Sequence, residues 1–93
     1  MAMSSRGDQA GAIDADYTRT AFGTWRITVT SSAGVDVVNG SGELPEVVEG
    51  VVMPVVQEHT DRLGGPCTTI HTLDGDTSAF MAAYEAAQAH REF

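Results

Sequence analysis

The sequence predicts an α+β fold: a small sheet of about three strands with two helices packed on one face, in the order β-β-α-β-α. Three observations carry this. Thr24 to Thr30 alternates strictly, with Trp25, Ile27 and Val29 on one parity and Thr24, Arg26, Thr28 and Thr30 on the other. Valine pairs then return every four residues, at 47/48, 51/52 and 55/56, which paints one helix face. Finally, Cys67 to Leu73 alternates again, just before an alanine-rich stretch of helical period.

The chain has 93 residues and is 42% hydrophobic, enough for one globular domain and too short for two. Its aromatics are Tyr17, Phe22, Trp25, Phe80, Tyr84 and Phe93, so valine, alanine and leucine must supply most of the core. Residues 1–14 are rich in Ser, Gly, Ala and Asp without a period and read as a flexible arm. Residues 15–93 read as the compact domain.

The first strand is expected over 17–30. Gly23 interrupts it, and Phe22 falls on the opposite parity to Trp25. A bulge at Gly23 would bring both aromatics toward the core. Without a bulge, Phe22 would sit on the threonine face. Ser31-Ser32-Ala33-Gly34 is a hairpin loop, Val35 to Val38 the second strand, and Asn39-Gly40-Ser41-Gly42 its end.

The valine ladder, Leu44 to Leu63, sets propensity against burial. β-Branched residues oppose helix by about 0.5 kcal/mol each. Burying a valine contributes roughly 1.5–3 kcal/mol. Burial is the larger effect, so the ladder is helical. Pro45 suits its first turn, and Gly64-Gly65-Pro66 stops it. Pro54 lacks a backbone donor and opposes Gly50, which predicts a kink or two short helices meeting near residue 53. A strand over 46–52 is the competing reading. Cys67 to Leu73 is the third strand, Asp74-Gly75-Asp76 a turn with Asp76 as helix cap, and 77–91 the last helix.

Charge narrows the function classes. The net charge is −8, there is no lysine, and the five arginines are scattered. This argues against nucleic-acid phosphates and anionic membranes as partners. The lysine-free composition suits a GC-rich genome, such as an actinobacterium or its phage. The single cysteine cannot form an internal disulfide. No apolar leader opens the sequence and the longest apolar run is Val51 to Val56, so a cytoplasmic location is expected.

Candidate chemistry is sparse. Cys67 and His71 share a strand face but stand about 13 Å apart, too far for direct proton transfer. His59, His71 and His90 lie on three elements without metal-ligand spacing, and no cofactor is implied. The expected function is therefore a small acidic, non-enzymatic domain that binds and modulates another protein. A phage-encoded modulator of a host protein and an immunity-type inhibitor both fit, and homodimerisation is expected as well. The alternative is a small enzyme or ligand-binding domain with a pocket between sheet and helices, using Cys67 or a histidine. Phe22, Arg26, Thr28 and Phe93 are the candidate partner-binding residues.

Overall fold

The structure, a computed structural model, describes residues 11–91, the last two as backbone only. It is an α+β fold with one four-stranded mixed sheet. The strands are β1 (Gly11–Arg19), β2 (Trp25–Ser31), β3 (Gly34–Gly40) and β4 (Cys67–Leu73), in the order β3-β2-β1-β4. β1 pairs antiparallel with β2, and β2 with β3, whereas β4 runs parallel to β1. β3 and β4 are thus co-directional edge strands, joined by the ladder helix across the sheet.

The strand expected over 17–30 is in fact two. Thr20 to Thr24 turns the chain, Gly23 adopts a left-handed φ of 81°, and the turn separates β1 from β2. The expected bulge does not form. Residues 11–14, expected in the arm, are the first part of β1, and residues 1–10 lie outside the described residues. β1 alternates Ile13, Ala15 and Tyr17, all fully buried, with Ala12, Asp14, Asp16 and Thr18. Gly, Ala and Asp have poor strand propensity, but β1 is a central strand flanked on both sides, and its neighbours outweigh propensity.

The ladder is one continuous helical run: α1 (Leu44–Val47), a π-helical turn (Val48–Val52) and α2 (Met53–Leu63). The competing strand over 46–52 is not formed. The amide of Met53 donates to the Val48 carbonyl, five residues back, immediately before Pro54. The wider turn accommodates the missing donor without a break. It also keeps the valine pairs aligned. A repeat of four outruns the α-helix at about 3.6 residues per turn, and one wide turn takes up the drift. Leu44, Val47, Val48, Val52, Val56 and His59 are buried as a result, while Gly50, Met53 and Pro54 are exposed. Gly64 ends the run with φ 83°, its amide bonded to the Thr60 carbonyl at 3.0 Å.

α3 (Thr77–Arg91) follows β4. The Asp74-Gly75 turn has φ values of 52° and 82°. Asp76 caps the helix, its carboxylate accepting from the Ala79 amide at 3.1 Å. All helices pack on one side. The core joins Ile13, Ala15, Tyr17, Trp25, Ile27 and Val29 of the sheet to the ladder valines and Phe80. Among the described residues, no helix is long and apolar enough to cross a membrane.

Candidate interaction surface

Packing every helix on one side leaves the opposite side of the sheet uncovered among the described residues. That side presents Arg26, Thr28 and Thr30 of β2, Val35, Val37 and Asn39 of β3, Asp14, Asp16 and Thr18 of β1, and Ile70 of β4. Val35 is 62% exposed, Val37 56% and Ile70 41%. Apolar side chains therefore flank a threonine- and aspartate-rich centre. Part of that centre is already bonded. Asp16 accepts from Thr72 Oγ1 at 2.6 Å and from the Gly75 amide at 2.8 Å, and Thr18 donates to Asp74 at 3.2 Å.

Phe22 stands at one end of this face. It is 92% exposed at the tip of the Thr20–Thr24 turn. The turn is held tightly for its size. The Thr20 amide donates to the Thr24 carbonyl at 2.9 Å, and the Gly23 amide to the Thr20 carbonyl at 3.1 Å. Thr20 Oγ1 accepts from the amides of Phe22 and Thr24 and lies 2.8 Å from Thr24 Oγ1. These bonds fix the backbone that carries the ring. Beside it lies a shallow depression of about 450 Å³, lined by Phe22, Arg19, Arg26, Thr18, Thr24 and Asn39. Arg19 also covers the Trp25 ring, its guanidinium carbon 4.8 Å from the ring centroid.

Two sequence-predicted contact residues, Phe22 and Arg26, thus share one depression. Thr28 lies two residues along the same strand face, half-buried. Phe93 falls outside the described residues. Phe22 was expected either in the core or on the threonine face. The turn places it outside the core, at the rim of the threonine face.

The helix side holds a polar cluster that sequence reasoning missed. His59 is fully buried. Its Nε2 lies 2.8 Å from Asp36 Oδ2, and its Nδ1 meets Ser31 Oγ. A carboxylate only accepts, so a neutral His59 ring donates from Nε2 to Asp36 and accepts the Ser31 hydroxyl proton at Nδ1. The Ala33 amide donates to Ser31 Oγ at 3.0 Å. Arg62 reaches Asp36 at 3.8 Å and Glu58 at 3.7 Å. A serine–histidine–carboxylate line is the order used to activate a nucleophile. Here the ring is sealed from solvent, and the nearby amide donor is already bonded to the serine oxygen. The line pins the β2–β3 hairpin to the ladder helix. One signal was available: an aspartate on the inward parity of β3, opposite a histidine on the ladder's buried face.

The alternative catalytic pair is not assembled. Cys67 Sγ donates to the Gly65 carbonyl at 3.4 Å. His71 Nδ1 instead takes the Tyr17 hydroxyl at 3.0 Å, and its ring stacks on Phe80 with centroids 5.0 Å apart. Burial pushes the His71 pKa down. Burial, and then Tyr84 nearby, push the Tyr17 phenol above its ordinary range. Both shifts keep this pair neutral, with Tyr17 as donor. Among the described residues, no three His, Cys, Asp or Glu side chains are grouped to hold a metal ion.

No family model matches this chain, and no characterised protein or solved structure matches it significantly.

Proposed function

We propose that this chain is a non-enzymatic interaction domain that binds and modulates another protein through the open side of its sheet. The observation that carries this reading is Phe22, a large aromatic held outward on a rigidly bonded turn beside two arginines. An exposed aromatic on an ordered backbone loses little entropy on binding, which suits an interface anchor. Arg19 and Arg26 make this corner locally positive on a chain of net charge −8. Charges of that kind set orientation and partner choice more than raw affinity. Val37 and Thr28 extend the surface along the sheet. A modulator of the phage or immunity-inhibitor type, acting by occupying a partner's surface, fits this arrangement.

Affinity capture from the source cell with wild-type protein and with Phe22→Ser tests it. The account expects a partner retained by the wild type and lost by the variant, with unfolding unchanged. Equal recovery by both proteins contradicts it.

A further inference from the structure

The outer edge of β3 is a built pairing surface, and hydrogen-bond phase identifies which groups it offers. The Thr20 amide bonds the Thr24 carbonyl at 2.9 Å, and the β1–β2 register continues that pair through Thr18↔Arg26, Asp16↔Thr28 and Asp14↔Thr30. Bonded and non-bonded pairs alternate in an antiparallel ladder. Arg26, Thr28 and Thr30 therefore turn their backbone groups toward β1, and Trp25, Ile27, Val29 and Ser31 turn theirs toward β3. Their partners Gly40, Val38, Asp36 and Gly34 point back at β2. Val35, Val37 and Asn39 are left pointing outward, and no described strand lies on that side.

Edge strands that avoid pairing carry charged side chains, inward-pointing charges, proline or a bulge. β3 reads Gly-Val-Asp-Val-Val-Asn-Gly, with no proline and no bulge in its register with β2. Its only charge, Asp36, is bonded to His59 and lies near Arg62, on the helix side of the sheet. The other edge, β4, follows Pro66, ends in the Leu73–Asp76 backbone bridge and has α3 packed over it.

We propose that a second copy of this chain pairs antiparallel with β3 about a two-fold axis at Val37, joining the two sheets into one. The outward phase of Val35, Val37 and Asn39 permits this register: Val37 meets Val37 of the other copy, and Val35 meets Asn39. Each such pair exchanges two N–H···O=C bonds. The same register sets Asp36 against Val38, whereas an axis at Asp36 would oppose two carboxylates. On the open side, the exposed Val35 and Val37 of each copy merge into one apolar strip at the middle of the joined sheet. Phe22 lies on the turn between β1 and β2 and contributes nothing to this pairing, although Asn39 also lines its depression.

Sedimentation across a micromolar-to-millimolar series, combined with amide exchange, tests it. The expected species has twice the 9.8 kDa chain mass. Val35, Val37 and Asn39 amides should exchange slowly in the dimer and fast on dilution, while those of Asp36 and Val38 stay protected throughout. Val37→Pro, which removes an outward donor and leaves the β2 ladder intact, should give a monomer, and so should Val37→Lys. Phe22→Ser should leave the mass unchanged, which separates this claim from the partner surface. A monomer across the whole series overturns the proposal. So does a dimer that persists in both Val37 variants. Slow exchange of the outward amides in a monomer overturns it equally.

Discussion

At the scale of single residues, His59 holds two hydrogen bonds in a position with no solvent contact. Replacing it by alanine opens a cavity and strands Asp36 and Ser31, so His59→Ala should cost about 2–4 kcal/mol of unfolding free energy. Urea titration reads this directly, and a loss within experimental error would remove the pin from the account. The Tyr17–His71 pair gives stability a pH dependence at both ends. The His71 pKa is lowered in the fold, so the unfolded chain binds the extra proton first. Stability should fall as pH drops below the ordinary histidine value of about 6.5, until the lowered folded value is passed. The Tyr17 pKa is raised, so the unfolded phenol ionises first and stability should fall as pH climbs above about 10. His71→Gln should flatten the acid limb alone. An acid limb unchanged in that variant would locate its origin elsewhere.

At the scale of elements, the ladder makes opposite predictions for two glycines. Gly50 lies in the helical run, and a Cβ there meets nothing within 4 Å. Gly50→Ala should stabilise by about 0.5–1 kcal/mol through reduced freedom of the unfolded chain. Gly40 ends β3, where a Cβ would come 3.1 Å from Val47 Cγ1 and 3.2 Å from Val51 Cγ2. Gly40→Ala should therefore destabilise, by about 1–3 kcal/mol if the valines cannot shift. Thermal unfolding of the two variants should move in opposite directions, and parallel shifts would contradict the packing of β3 against the ladder. The helical ladder was legible because its apolar pairs could not be divided between two strand faces. Its conformation at Pro54 was less so, because a missing donor announces a disturbance without choosing between a kink and a wide turn. β1 was hidden by glycine, alanine and aspartate, residues with weak strand preference that tertiary neighbours overrode. The Thr20–Thr24 turn was hidden for a related reason: Gly23 signals a bulge and a turn equally well, and only the pairing of Tyr17 with Ile27 separates them.

At the scale of the whole molecule, both helical elements pack on one face, and among the described residues the other face is left uncovered. Phe22, Arg26 and Thr28 were readable as contact candidates because their parity opposed that of Trp25, Ile27 and Val29. What sequence could not supply was Arg19 joining them, since it follows β1 parity and reaches the depression only because the turn folds it there. The Ser31–His59–Asp36 line is assembled from two strands and a helix, and its one sequence signal was the inward parity of Asp36 together with the place of His59 on the ladder's buried face. Variants at the anchor should weaken partner capture most, with Arg26→Glu and Thr28→Lys also losing it through the changed charge of the face. Glu58→Lys, on the exposed side of α2, should bind as the wild type does.

The most direct measurement is side-by-side affinity capture by wild type, Phe22→Ser, Arg26→Glu and Glu58→Lys, each first shown to unfold with unchanged cooperativity. The account predicts one shared partner recovered by wild type and Glu58→Lys and lost from the two open-face variants. Recovery of that partner by all four proteins, or its loss only from Glu58→Lys, would place the contact away from the open side of the sheet and contradict the account.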